Sequence, residues 1–136
     1  MLREASLSKM VKKKIRKDKC IFVARKRGND ELAPSDEIFH EFKRKQTELE
    51  RQYGEGSVEA HNRAYLCCDY EKRFRNQIVG SPEALKKLEK ISQRAQKEDV
   101  FLVCYEGPSK ACHRRILLRI AEERFGVEVL LEGVEP

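Results

Sequence analysis

Three features of the chain predict a small α/β domain with a mostly parallel sheet covered by helices. Two short apolar runs, Cys20-Ile21-Phe22-Val23-Ala24 and Val100-Phe101-Leu102-Val103-Cys104, read as strands buried on both faces. Helix-period stripes with recognisable caps lie before, between and after them. The final stretch runs strand, helix, strand, the βαβ pattern of parallel pairing. At 136 residues the chain has room for one domain, taken as 1–136.

The elements follow in order. Ser6 or Ser8 caps a first helix whose apolar positions Leu7, Val11 and Ile15 recur every four residues, so residues 1–19 form a basic N-terminal helix or arm. The strand at Cys20 delivers Arg25 at its C-terminal end. Ser35 caps a second helix, with Asp36 and Glu37 in its first turn and a stripe of Ile38, Phe39, Phe42, Leu49 and Tyr53 that ends at Gly54 and Gly56. A third helix runs from Ser57 to Gly80 on Ala60, Ala64, Cys67, Phe74 and Ile78. Ser81-Pro82-Glu83 opens a fourth, which carries Leu85, Leu88, Ile91 and Ala95. After the Val100 strand, Ser109 caps a last helix bearing Ile116, Leu117, Ile120, Ala121 and Phe125, closed by Gly126. Val127 to Leu131 reads as a third strand.

Composition narrows the class of protein. Charged residues make up 38% of the chain against 40% hydrophobic, which describes a highly charged globular protein rather than a disordered or membrane-spanning one. The start, MLREASLSKMVKKK, lacks the apolar stretch of a signal peptide, so the expected location is the cytosol. Five cysteines, an odd number, are then expected as thiols rather than a disulfide framework. Residues 1–19 hold eight Lys or Arg against Glu4 and Asp18, while the remainder holds 21 basic and 21 acidic residues. All the net charge therefore sits at the N-terminus, where it suits nucleic-acid phosphates or an acidic partner as well as a solvated face.

The stretch Cys104 to Arg114 carries the chemistry. Ligands of open parallel sheets bind where strand ends meet helix N-termini, because unpaired backbone N–H groups and positive dipole ends gather there. Cys112, in the first turn of the last helix beside Lys110, His113, Arg114 and Arg115, is a nucleophile or redox thiol. His113 suits a general acid or base, and Glu106 suits orienting it or Arg114. Cys104 suits either a packing role or a partner thiol. Arg114 and Arg25, with Ser109 in the loop, are the anion-binding set for a phosphate- or carboxylate-bearing ligand. Cys104, Cys112 and His113 together fall short of a zinc pattern, since one Cys-x7-Cys spacing lacks a second pair, and neither metal nor cofactor is expected.

Leu32-Ala33-Pro34-Ser35 after an Arg25-bearing strand, then Leu102-Val103-Cys104-Tyr105-Glu106 and Cys112-His113-Arg114, resemble the domain-of-unknown-function 488 family, the YeaO-like proteins, in its cysteine-bearing branch. The resemblance spans roughly residues 7–130 and implies a compact α/β domain without fixing a reaction. Three functions remain in play. One is an anion-binding or catalytic site at Cys104 to Arg114. Another is a non-catalytic nucleic-acid-associated or regulatory module using the basic N-terminus. The third is a redox switch that joins Cys104 to Cys112, for which the Cα atoms must lie within about 7 Å.

Overall fold

Leu2–Ser6 forms strand β1, and the rest of the sheet is laid down around it. The computed structural model describes residues 1–107 and 109–131 of the chain; the end of the expected domain, 132–136, lies outside them. β1 pairs in parallel with β3 (Val100–Cys104) on one side, from Leu2 opposite Val100 to Ser6 opposite Cys104. On its other side it pairs with β4 (Val129–Leu130). Beyond β3 lies β2 (Cys20–Phe22), giving a four-stranded, all-parallel sheet in the order β2-β3-β1-β4.

The sequence reading of residues 1–19 as helix or arm misses this strand. Arg3 and Glu4 are poor strand formers, and no apolar run marks the segment. Pairing on both edges supplies what local propensity does not. The basic helix does follow, as α1 (Leu7–Lys12), with the Ser6 hydroxyl accepting from the Lys9 N–H at 3.1 Å. Its expected apolar stripe is incomplete, because Val11 is 70% exposed while Leu7 and Ile15 are half-buried.

Strand β2 also differs from expectation. It is an edge strand whose Ile21 and Phe22 are half-buried, so it is not covered on both faces.

Helix α2 (Asp36–Tyr53) begins as its cap demands, with the Ser35 hydroxyl accepting from the Ile38 N–H. The long helix expected between Ser57 and Gly80 is two helices, α3 (Val58–Cys67) and α4 (Tyr70–Val79). Asp69 separates them in the left-handed region at φ 50°, a conformation Asp tolerates better than most residues. The break rotates the pattern, so Cys68 is buried and Cys67, expected in the core, is exposed. Helix α5 (Pro82–Ala95) has its cap at Ser81 and buries Leu88, Ile91 and Ala95.

After β3, helix α6 (His113–Phe125) ends at Gly126, whose φ of 65° gives the left-handed cap that glycine adopts at little cost. Its N-cap residue is Cys112, so Ser109 does not cap it. Ile116, Leu117, Leu118, Ile120 and Ala121 of α6 are buried in the main core, which the sheet, α4 and α5 complete. Each large aliphatic side chain among them contributes about 1.5–3 kcal/mol.

Because side chains alternate across a strand, the sheet has two unlike faces. Leu2, Val100, Leu102 and Cys104 join the main core with α4, α5 and α6. Ala5, Cys20, Phe101 and Val103 form a smaller cluster on the other face, under Met10 and Ile15. Glu4 lies opposite Leu102 in the register and, like it, has no solvent exposure. No described helix is long and apolar enough to cross a membrane.

Candidate functional site

A cleft of about 330 Å³ opens beyond the C-terminal ends of β2 and β3, over the start of α6. That is where a parallel sheet gathers loops and helix N-termini. Phe39 and Phe42 of α2, Tyr65 of α3 and Tyr70 of α4 form its aromatic wall. Arg25, Lys26 and Lys43 stand at its basic side, and Cys104, Glu106, Cys112 and His113 form the polar cluster.

The wall is stiffened by its own ring contacts. Tyr65 stacks on Tyr70 with centroids 4.3 Å apart, and Phe42 meets both edge-on. The Arg25 guanidinium carbon lies over Phe39, 4.1 Å from the ring centroid, and the same guanidinium pairs with Asp36.

The loop from β3 to α6 is held from α3. Asn62 accepts from the Ala111 N–H at 2.8 Å and donates to the Ser109 carbonyl at 3.0 Å. His61 Nε2 donates to the Ala111 carbonyl at 2.7 Å. These contacts satisfy backbone groups of the loop just before the helix, and they fix Cys112 as it enters α6.

At the cluster, the Cys104 thiol donates to Glu106 Oε2 at 3.2 Å, and Cys112 Sγ stands 3.5 Å from the same oxygen. His113 Nε2 donates to the Val23 carbonyl at 2.7 Å, which leaves Nδ1 facing Cys112 Sγ at 3.8 Å. Phe74 packs edge-on against the imidazole and fixes its plane. Cys112 and His113 are both buried, yet both reach the cleft wall.

Burial alone would raise the Cys112 thiol. The neighbouring Cys104 thiol, His113 and the nearby Arg114 reverse that, and it falls well below its ordinary value. His113 moves the other way: burial opposes its charge, but the Cys112 thiolate, the Val23 carbonyl and Glu106 raise it. Cys104 is pushed up by its contact with Cys112 and by burial, with Glu106 adding to both. The surroundings thus favour ionisation at Cys112 and at His113 and oppose it at Cys104.

Of the expected site residues, the fold brings Arg25, Cys104, Glu106, Cys112 and His113 to one cleft. Arg114 points the other way, into the core, where its Nε donates to Glu4 Oε1 at 2.6 Å. Arg115 donates to Glu4 Oε2 at 2.9 Å. Ser109 is exposed, and its carbonyl is engaged by Asn62. His61, Asn62, Lys26, Lys43 and the aromatic wall escaped the sequence reading. Lys26 lies in the turn after β2 and the others sit at ordinary helix spacing, so only the packing of α2, α3 and α4 together brings them to the cleft.

A protein-family model described as the active DUF488-N3 subclade, DUF488-N3a, matches residues 23–125. Searches among curated proteins and solved structures gave no significant match.

Proposed function

The chain belongs to the DUF488 family, and on that premise we propose that the cleft is an active site for a phosphate- or carboxylate-bearing substrate. Arg25, Lys26 and Lys43 hold the anion, and the aromatic wall takes the apolar part of the molecule. The Cys104, Glu106, Cys112 and His113 cluster supplies the chemistry. The observation that carries this reading is one wall holding Cys112 Sγ and His113 Nδ1, 3.8 Å apart, with the basic side chains facing the same space. A sulfur so placed serves in one of two ways: it attacks the substrate or holds an ion that activates it. Arg114 acts from behind, anchoring the helix that carries Cys112 and His113.

Two small alkylating probes that differ in charge test the cleft. Iodoacetate carries a carboxylate and iodoacetamide does not. At Cys112 the ratio of their rates should exceed the ratio at exposed Cys67 in the same chain. Arg25→Ala or Lys43→Ala should each lower the Cys112 ratio by roughly fivefold, the effect of about 1 kcal/mol of charge interaction. Equal ratios at Cys112 and Cys67 would remove the basis for an anion site.

A nucleic-acid contact is the second reading. It is favoured by the run Lys12, Lys13, Lys14 and Lys17, all exposed on or just after α1.

A further inference from the structure

Linear spacing gives Cys104, Cys112 and His113 no metal pattern; the fold does. Cys104 ends β3, Cys112 and His113 open α6, and their three donor atoms lie within 4.8 Å of one another, with all three residues buried. A tetrahedral zinc site, with bonds of about 2.3 Å to sulfur and 2.0 Å to nitrogen, separates sulfur from nitrogen by roughly 3.5 Å. The Cys112 Sγ to His113 Nδ1 distance is 3.8 Å, so little contraction is needed.

Two further features point to a cation. His113 presents Nδ1 to the sulfurs because the Val23 carbonyl holds its Nε2–H at 2.7 Å, the outer contact that orients a metal-binding imidazole. Glu106 Oε2 sits 3.2 Å from one sulfur and 3.5 Å from the other, so three groups whose ionised forms are anions converge in one enclosed place. Such convergence is stabilised by positive charge, in part from His113 and Arg114 and more fully from a bound cation.

We propose that Cys104, Cys112 and His113 bind a thiophilic divalent cation of the zinc class, with a fourth position open to the cleft beside Glu106. The inference rests on the cleft being an active site and assigns the Cys112 sulfur to coordination. On uptake both sulfurs bind as thiolates, and His113 binds through neutral Nδ1. The proton of Cys104 and any proton on Cys112 or on Nδ1 pass to solvent, with Glu106 within reach of both sulfurs; no electrons are transferred. An ion there would polarise an oxygen of the bound anion, and Glu106 would stand as base toward a water in the fourth position.

The test uses the full chain, stripped with chelator and titrated with Co²⁺ and then Zn²⁺. One equivalent of Co²⁺ should produce thiolate-to-metal charge-transfer absorption with tetrahedral d–d bands, and Zn²⁺ should abolish both. Zn²⁺ should also slow iodoacetamide at Cys112 at least tenfold while leaving Cys67 unaffected. Cys104→Ser should weaken Zn²⁺ binding at least tenfold, and Cys67→Ser should not. A folded wild-type chain that shows no charge-transfer band and keeps no Zn²⁺ through gel filtration overturns the proposal, whatever any variant does. So does a site lost in Cys67→Ser and kept in Cys104→Ser. Iodoacetate preference at Cys112 of the stripped chain separates the two readings. Preference without metal binding retains the anion cleft alone, and metal binding without preference retains the metal centre alone.

Discussion

Glu4 of β1 and Arg114 of α6 meet at 2.6 Å with neither side chain exposed, and Arg115 closes on the other carboxylate oxygen. This buried pair joins the middle of the sheet to the helix that carries Cys112 and His113. Removing one partner strands a charge in the core, so Glu4→Ala should cost about 3–5 kcal/mol. Replacing both, as Glu4→Leu with Arg114→Met, should recover much of that loss, because a well-packed apolar pair avoids the desolvation penalty. Urea denaturation midpoints of the single and double variants measure both effects. A double variant no more stable than Glu4→Ala would show that the pair contributes through geometry an apolar replacement cannot mimic.

How much of this was legible beforehand depends on where the determining interactions lie. The βαβ end, the Ser35 and Ser81 caps and the Gly126 stop are local, and the sequence predicts them correctly. Strand β1 is not local: its partners are residues 100–104 and 129–130, and its one charged inward residue, Glu4, makes sense only once Arg114 is opposite. The same holds at the site. Cys104, Glu106, Cys112 and His113 are close in sequence and could be grouped from it. His61 and Asn62 come from a helix about 50 residues earlier and enter only through the packing of α3 on the loop.

The basic segment calls for charge neutralisation rather than truncation. Deleting residues 1–17 would remove β1 and with it the centre of the sheet, so any fall in binding would report unfolding. Lys12→Gln, Lys13→Gln and Lys14→Gln together leave β1 intact. If these lysines contact duplex DNA, the slope of log K against log salt should shallow by about 0.9 for each phosphate that is no longer neutralised. An unchanged slope would dismiss the nucleic-acid reading.

Alkaline stability follows from the aromatic wall. Tyr65 and Tyr70 are raised above the ordinary tyrosine value, chiefly by burial, with the charge on Cys112 adding to both. The folded state therefore keeps these protons when the unfolded chain has lost them. Their stabilising contribution is full below the unfolded value of about 10 and declines as pH rises beyond it. Ultraviolet titration should show Tyr65→Phe and Tyr70→Phe each deleting a tyrosinate signal that appears together with loss of helical circular dichroism. Ionisation of both rings in a chain that remains folded near pH 10 would contradict it.

The position of β1 also sets a timetable for synthesis. The strand at the heart of the sheet is made first, and its partner at Val100–Cys104 emerges only about a hundred residues later. At 5–20 residues per second the ribosome leaves β1 waiting for roughly 5–20 seconds. An apolar strand held open for so long would invite association between nascent chains. Glu4, which becomes an internal counter-ion once Arg114 arrives, keeps the waiting segment charged and wet until then.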